Sequence, residues 1–186
     1  QFECAEQLAA KSPPDFAGVH RVLSECCTLD PGNTLFTAAL LKNLQNANGK
    51  TVTAWFWKVW KLRAEFDAAL QAQHWRVALA AGWQLLGERP QDSAVLFSLS
   101  QVCSELDHLP TQLQLLRAAC KQSAASEILL AAWAKALAAA GQFAESAHVW
   151  RQWLEHFQGP EALQYLEAMQ EPEQVGVAQS VSCSTT

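Results

Sequence analysis

The chain holds 186 residues, half of them apolar, with 13 basic against 18 acidic side chains for a net charge of −5. That length builds one compact core or a short stack of repeats, and the apolar share excludes wholesale disorder. The mild acidic excess, with no basic stripe, argues against nucleic-acid binding, which needs a basic face. Ala, Leu, Gln and Glu outnumber the β-branched residues, so an all-α chain is expected.

Taken in chain order, the first apolar periodicity predicts a helix over about 13–28, closed by Asp30-Pro31-Gly32-Asn33. Proline cannot continue a helix, while Gly and Asn tolerate a left-handed cap. A second helix is expected over 34–45, ending before the turn Asn48-Gly49. The stretch from Lys50 to Gln73 has neither Gly nor Pro and reads as one long helix, with a tight turn near Lys61 as the alternative. It carries Trp55, Phe56, Trp57 and Trp60, whose leading reading is an oversized core stripe. The alternatives are an aromatic anchor for a partner and, least favoured, a membrane contact, because Lys58 and Lys61 are too few to attract anionic lipid. Trp55 and Trp57 lie about 200° apart on a helical wheel, so they cannot share one narrow face. At least one is expected to be exposed or to face a neighbouring unit.

Three further helical patches each follow a turn: Gln73-His74-Trp75, Asp107-His108-Leu109 and Gly141-Gln142-Phe143. A closing helix is expected over 160–170, with Pro160 at its start and Leu163, Tyr165 and Leu166 placed to cover Trp150 and Trp153. Residues 171–186 are small and polar and read as a flexible tail.

The three turn triplets recur every 34 residues without a gap. In that register the units are 59–92, 93–126 and 127–160. Their fourth places hold Leu62, Leu96 and Leu130, their seventeenth Trp75, Leu109 and Phe143, and their twentieth Ala78, Gln112 and Ser146. Residues 15–33 match the second helix and exit turn of a further unit through Phe16, Val19, Leu23, Cys26 and Pro31. With this period and register the sequence resembles the tetratricopeptide repeat family over about three-quarters of its length. The resemblance implies antiparallel helix-turn-helix repeats stacked as a right-handed α-solenoid. It divides the chain into a partial unit over 1–50, an array over 51–170 and the tail. Phe66 at the eighth place and Trp153 at the twenty-seventh depart from the small residues usual there, which suggests wider helix spacing at the array ends.

The resemblance also implies a concave groove lined by first-helix residues: Trp60, Arg63, Asp67 and Gln71, then Phe97, Gln101 and Glu105, then Ile128, Ala131 and Lys135. The family's carboxylate clamp of Lys, Asn and Arg is missing, since its places hold Arg63, Asp67, Ser98, Ile128 and Ala132. The expected function is therefore a non-catalytic scaffold that binds a peptide or helix of another protein. The alternatives are a self-assembling module, joined as a homo-oligomer through Trp55, Trp57 or Trp153, and a regulatory domain of a larger enzyme or complex.

Chemistry-bearing motifs are missing from the sequence. Cys4, Cys26, Cys27, Cys103, Cys120 and Cys183 form no Cys-x-x-Cys pair and read as reduced thiols, with a Cys103–Cys120 disulfide as the alternative. His74 and His108 share a period but fall in turns expected to face solvent, and His148 and His156 lie two turns apart without a third ligand. No phosphate-binding loop, zinc-protease helix or nucleophile elbow occurs. No metal, cofactor or catalytic residue is assigned. The chain opens at Gln1, not Met, and reads as a piece or a processed product. A cytoplasmic site is the expectation.

Overall fold

Side-chain caps set the helix boundaries. Asp15 accepts a hydrogen bond from the Gly18 amide, Asp92 accepts one from Val95, and Asn33 accepts from Leu35 and Phe36. Each satisfies amide groups that the first helical turn leaves without partners. The computed structural model describes residues 2–10, 15–46, 56–123, 126–157, 160 and 162–167, and no strand occurs among them. In chain order the helices are α1 (Phe2–Ala9), α2 (Phe16–Leu29), α3 (Thr34–Asn46), α4 (Phe56–Gln71), α5 (Trp75–Glu88), α6 (Ser93–Glu105), α7 (Leu109–Gln122), α8 (Glu127–Ala139) and α9 (Phe143–His156). Two compact units divide them, over 1–123 and 124–186.

The repeat is visible in the backbone. α5, α7 and α9 each span 14 residues, and so does α2. α3, α6 and α8 each span 13. The turns that join first to second helices place Gln73, Asp107 and Gly141 at φ of 55°, 58° and 74°, three left-handed residues 34 apart. In each turn the next amide reaches back to a first-helix carbonyl: His74 to Ala69, His108 to Cys103 and Gln142 to Leu137, at 2.8–2.9 Å. This is the left-handed helix stop that glycine fits best, and only Gly141 is a glycine.

In the first unit α5 is the central helix. It packs on α4, α6 and α2, and its sequence is apolar nearly all round, with Ala78, Leu79, Ala81, Trp83, Leu85 and Leu86 buried. Two glycines let neighbours approach it. A Cβ on Gly82 would lie 2.9 Å from the Phe66 ring of α4 and 2.6 Å from Leu99 of α6, and one on Gly87 would lie 2.6 Å from the His20 ring of α2. The bulk of Phe66 at its eighth place is thus met by glycine at the twenty-fourth, a place filled by Leu116 in the next unit.

The front helices leave the line of the array. α1 packs on α2, α2 packs on α3 and α5, and α3 packs on α7. Asn43 ties α3 to α2 by donating to the Phe16 carbonyl at 3.1 Å. The outer face of α4 shows the consequence. Val95 and Leu99 of α6 are buried at the third and seventh places, whereas α4 has exposed Lys61 and Glu65 there. A repeat array needs such a polar cap where stacking stops.

In the second unit small residues bring α8 and α9 together. Ser146 donates to the Ala134 carbonyl at 2.7 Å, a contact that requires backbones to approach closely. Trp150 and Trp153 are buried, and Tyr165 stacks on Trp150 with ring centroids 5.1 Å apart and an interplanar angle of 12°.

Several expectations need correction. Phe56, Trp57 and Trp60 are 70%, 64% and 59% exposed and form no core stripe, because the front helices pack elsewhere. Trp55 lies outside the described residues. Trp153 is only 6% exposed, so it is not available to join chains. Cys103 and Cys120 are free buried thiols, not a disulfide. His108 is half-buried against the Gly32 turn. Of the expected long helix, α4 accounts for 56–71, and residues 50–55 lie outside the described residues. Of the closing helix, residues 160 and 162–167 are described and helical; the tail lies outside the described residues.

Candidate functional site

The residues assigned to the groove fall in both units, and each set is taken by itself. In the first unit α4 presents Trp60, Arg63, Asp67 and Gln71 from one side of the helix, at spacings of three and four residues. Trp60 and Gln71 are exposed, while Arg63 and Asp67 are partly so, with side chains 41% and 48% accessible. Arg63 Nε pairs with Asp67 at 3.2 Å, and its Nη1 reaches Asp92 at the start of α6 at 3.7 Å. That cation therefore bridges the two first helices. α6 adds half-buried Phe97 and exposed Gln101 and Glu105.

Phe56 and Trp57 extend this face beyond the assigned residues. The three rings form an edge-on ladder, with centroids 6.2 Å apart from Phe56 to Trp57 and again from Trp57 to Trp60. Burying such rings would stabilise a complex strongly, and Trp is among the commonest anchors of protein interfaces. Behind the ladder Lys58 is held by Glu88 of α5. In the second unit Ile128 is 66% exposed, Ala131 is half-buried and Lys135 is exposed, with its ammonium 5.6 Å from the Tyr165 ring centroid.

A second feature was not foreseen. A cleft of about 860 Å³ opens between α2, α3, α4 and α5, lined by Phe16, His20, Leu44, Leu62, Gln84 and Glu88 among others. His20 Nε2 donates to the Trp83 carbonyl at 2.8 Å, and its Nδ1 has no partner among the described residues. Burial pulls its pKa below the usual histidine value, against opposing pulls from the Trp83 carbonyl and Glu88. Nothing in the sequence pattern pairs His20 with Gly87, because the contact joins helices 67 positions apart. Among the described residues no three His, Cys, Asp or Glu side chains are grouped to hold a metal ion. No described helix is long and apolar enough to cross a membrane.

Comparison with solved structures supports the repeat geometry. The chain is similar to the TPR2AB domain of yeast Sti1, seen in a complex with pHSP90, at 11% identity and a TM-score of 0.53. That match covers 90% of this chain and 76% of that one. It is also similar to a point mutant of MamA, at 16% identity and a TM-score of 0.51, covering 78% of this chain and 99% of that one.

The fold is that of the tetratricopeptide repeat.

No protein-family model and no curated protein sequence matches the chain. The tetratricopeptide pattern is degenerate at every single place, and here Phe66, Gly82 and Gln112 depart from it together. What survives is geometry: the helix lengths, the 34-residue period and the left-handed turns. In the first unit, α4 and α6 carry the candidate face.

Proposed function

We propose that the chain is a non-catalytic scaffold that holds a segment of another protein on the face built by α4 and α6. The observation that carries this reading is the exposed ladder of Phe56, Trp57 and Trp60, continuous with the row of Arg63, Asp67 and Gln71. Exposed large aromatics in a contiguous group mark an interaction surface more often than a structural need. The polar row beside them supplies orientation, as rim residues do in protein interfaces. An extended or helical segment suits such a face, which offers side-chain anchors and no free strand edge.

The test is a paired substitution. Trp60→Ser with Phe97→Ser lowers affinity for the bound protein by about a hundredfold, as loss of two anchors of roughly 1–2 kcal/mol each requires. Arg76→Ser with Arg117→Ser, on exposed positions of α5 and α7, leaves it unchanged. Equal effects from both pairs, with helicity intact in each, contradict the assignment.

A further inference from the structure

We propose that the segment held on the α4 and α6 face is basic and engages it through arginine. This inference rests on that face being the protein-binding surface and names the chemistry of its partner.

Two observations point the same way. The first is charge. α4 and α6 carry Asp67, Asp92 and Glu105 on this face, and Arg63 is the cation that meets the first two. Asp67 and Asp92 both hold that guanidinium, at 3.2 and 3.7 Å, so it neutralises part of the acidic row and leaves the rest unmatched. The nearby lysines do not reverse the balance. Lys58 is taken by Glu88, and Lys61 shares the outer face of α4 with Glu65, one turn away. The complementary surface is positive, and like-charge juxtaposition rejects an acidic segment.

The second observation is the aromatic pair. Trp57 and Trp60 meet edge-on at 85°, and each is more than half exposed, so ring faces remain open to a partner. An indole face is the best side-chain platform for a cation. Arginine suits it better than lysine, because a planar guanidinium stacks on the ring while its edge still reaches a carboxylate. With Trp60 and Asp67 two helical turns apart on one side of α4, an extended segment carrying spaced arginines meets both. Half-buried Phe97 on α6 offers an apolar contact as well.

The probes are short acetylated, amidated peptides of one Ala-Gln sequence carrying arginine, lysine, citrulline or glutamate at the same spaced positions. Binding is read by tryptophan emission and by a labelled-peptide anisotropy titration on the full chain. The arginine peptide binds saturably, about tenfold tighter than the citrulline peptide and several-fold tighter than the lysine peptide. Its affinity falls as salt rises. Asp67→Asn with Glu105→Gln lowers the affinity about tenfold and flattens the salt dependence, while Trp57→Ala with Trp60→Ala removes the preference for arginine over lysine. Equal binding of the citrulline peptide, tighter binding of the glutamate peptide, or indifference to both double variants overturns the proposal. If a protein cross-links at position 60 yet arginine peptides fail, the basic-partner inference alone is lost. If no protein cross-links there, the scaffold reading falls with it.

Discussion

Phe66 of α4 fills the space that Gly82 leaves on α5, with Leu99 of α6 closing the same hole; a Cβ at position 82 would stand 2.9 and 2.6 Å from the two side chains. Gly82→Ala gains roughly 0.5–1 kcal/mol of helix propensity but overpacks a filled core, which costs about 1–3 kcal/mol. The net expectation is a loss of about 1 kcal/mol in urea unfolding. Phe66→Leu with Gly82→Ala recovers part of it, because the ring is what the methyl group strikes. A double-mutant cycle measures this, and strict additivity would show that the two sites do not share the hole.

The left-handed turns predict a contrast between equivalent positions. Gln73 and Asp107 occupy a conformation that costs an L-residue roughly 1 kcal/mol. Gln73→Gly therefore stabilises the fold by several tenths of a kcal/mol, after its extra unfolded-state entropy is subtracted. Gly141→Ala, at φ 74°, destabilises by about 1 kcal/mol. Thermal unfolding of both variants checks the opposite signs.

His20 makes the docking of α2 on α5 sensitive to pH. Its folded pKa lies below the usual histidine value, with desolvation the largest cause. Below about pH 6.5 the unfolded chain takes up a proton that the folded chain refuses. This contribution to stability is complete above that pH, declines as pH falls toward the folded pKa, and levels off beneath it. His20→Gln removes it. The difference between wild-type and variant unfolding free energies should narrow as pH falls from 7.5 to 5, and a constant difference contradicts the assignment.

The buried thiols resist modification for as long as the fold holds. Burial pushes Cys27 and Cys103 up to about 12 and Cys120 to about 11, while Cys4 is exposed. The thiolate is the nucleophile, so iodoacetamide at pH 8 should alkylate Cys4 before Cys27, Cys103 and Cys120, which react only on unfolding. Peptide mass mapping against time distinguishes this order from uniform labelling.

Much of the fold could be read from the chain because its signals are local. The three turn triplets recur at a fixed spacing, and Asp30 to Asn33 stop a helix by their own chemistry, as the helix ends at 29 and 34 show. α1 was missed because its eight residues span only about two turns and offer little periodicity. The packing of α2 on α5 and of α3 on α7 was out of reach for a different reason. Contacts such as His20 on Gly87 join distant helices and leave no periodic trace. The exposure of Trp57 and Trp60 was misjudged because an apolar stripe looks the same whether it meets a core or a partner. A usable signal did exist: Lys61 and Glu65 stand at the places where Val95 and Leu99 are buried, so that side of α4 is polar where α6 is packed. For the candidate face, register supplied positions along each helix, but the bridge from Arg63 to Asp92 required coordinates.

The central claim, that the α4 and α6 face holds a protein segment, is tested most directly by site-specific photo-cross-linking. A benzophenone amino acid is placed singly at positions 60, 97, 76 and 117 of the full chain, and the adducts are sequenced. The account predicts that positions 60 and 97 capture adjacent stretches of one protein and that positions 76 and 117 capture neither. Identical adducts at all four positions, or capture confined to 76 and 117, would contradict it.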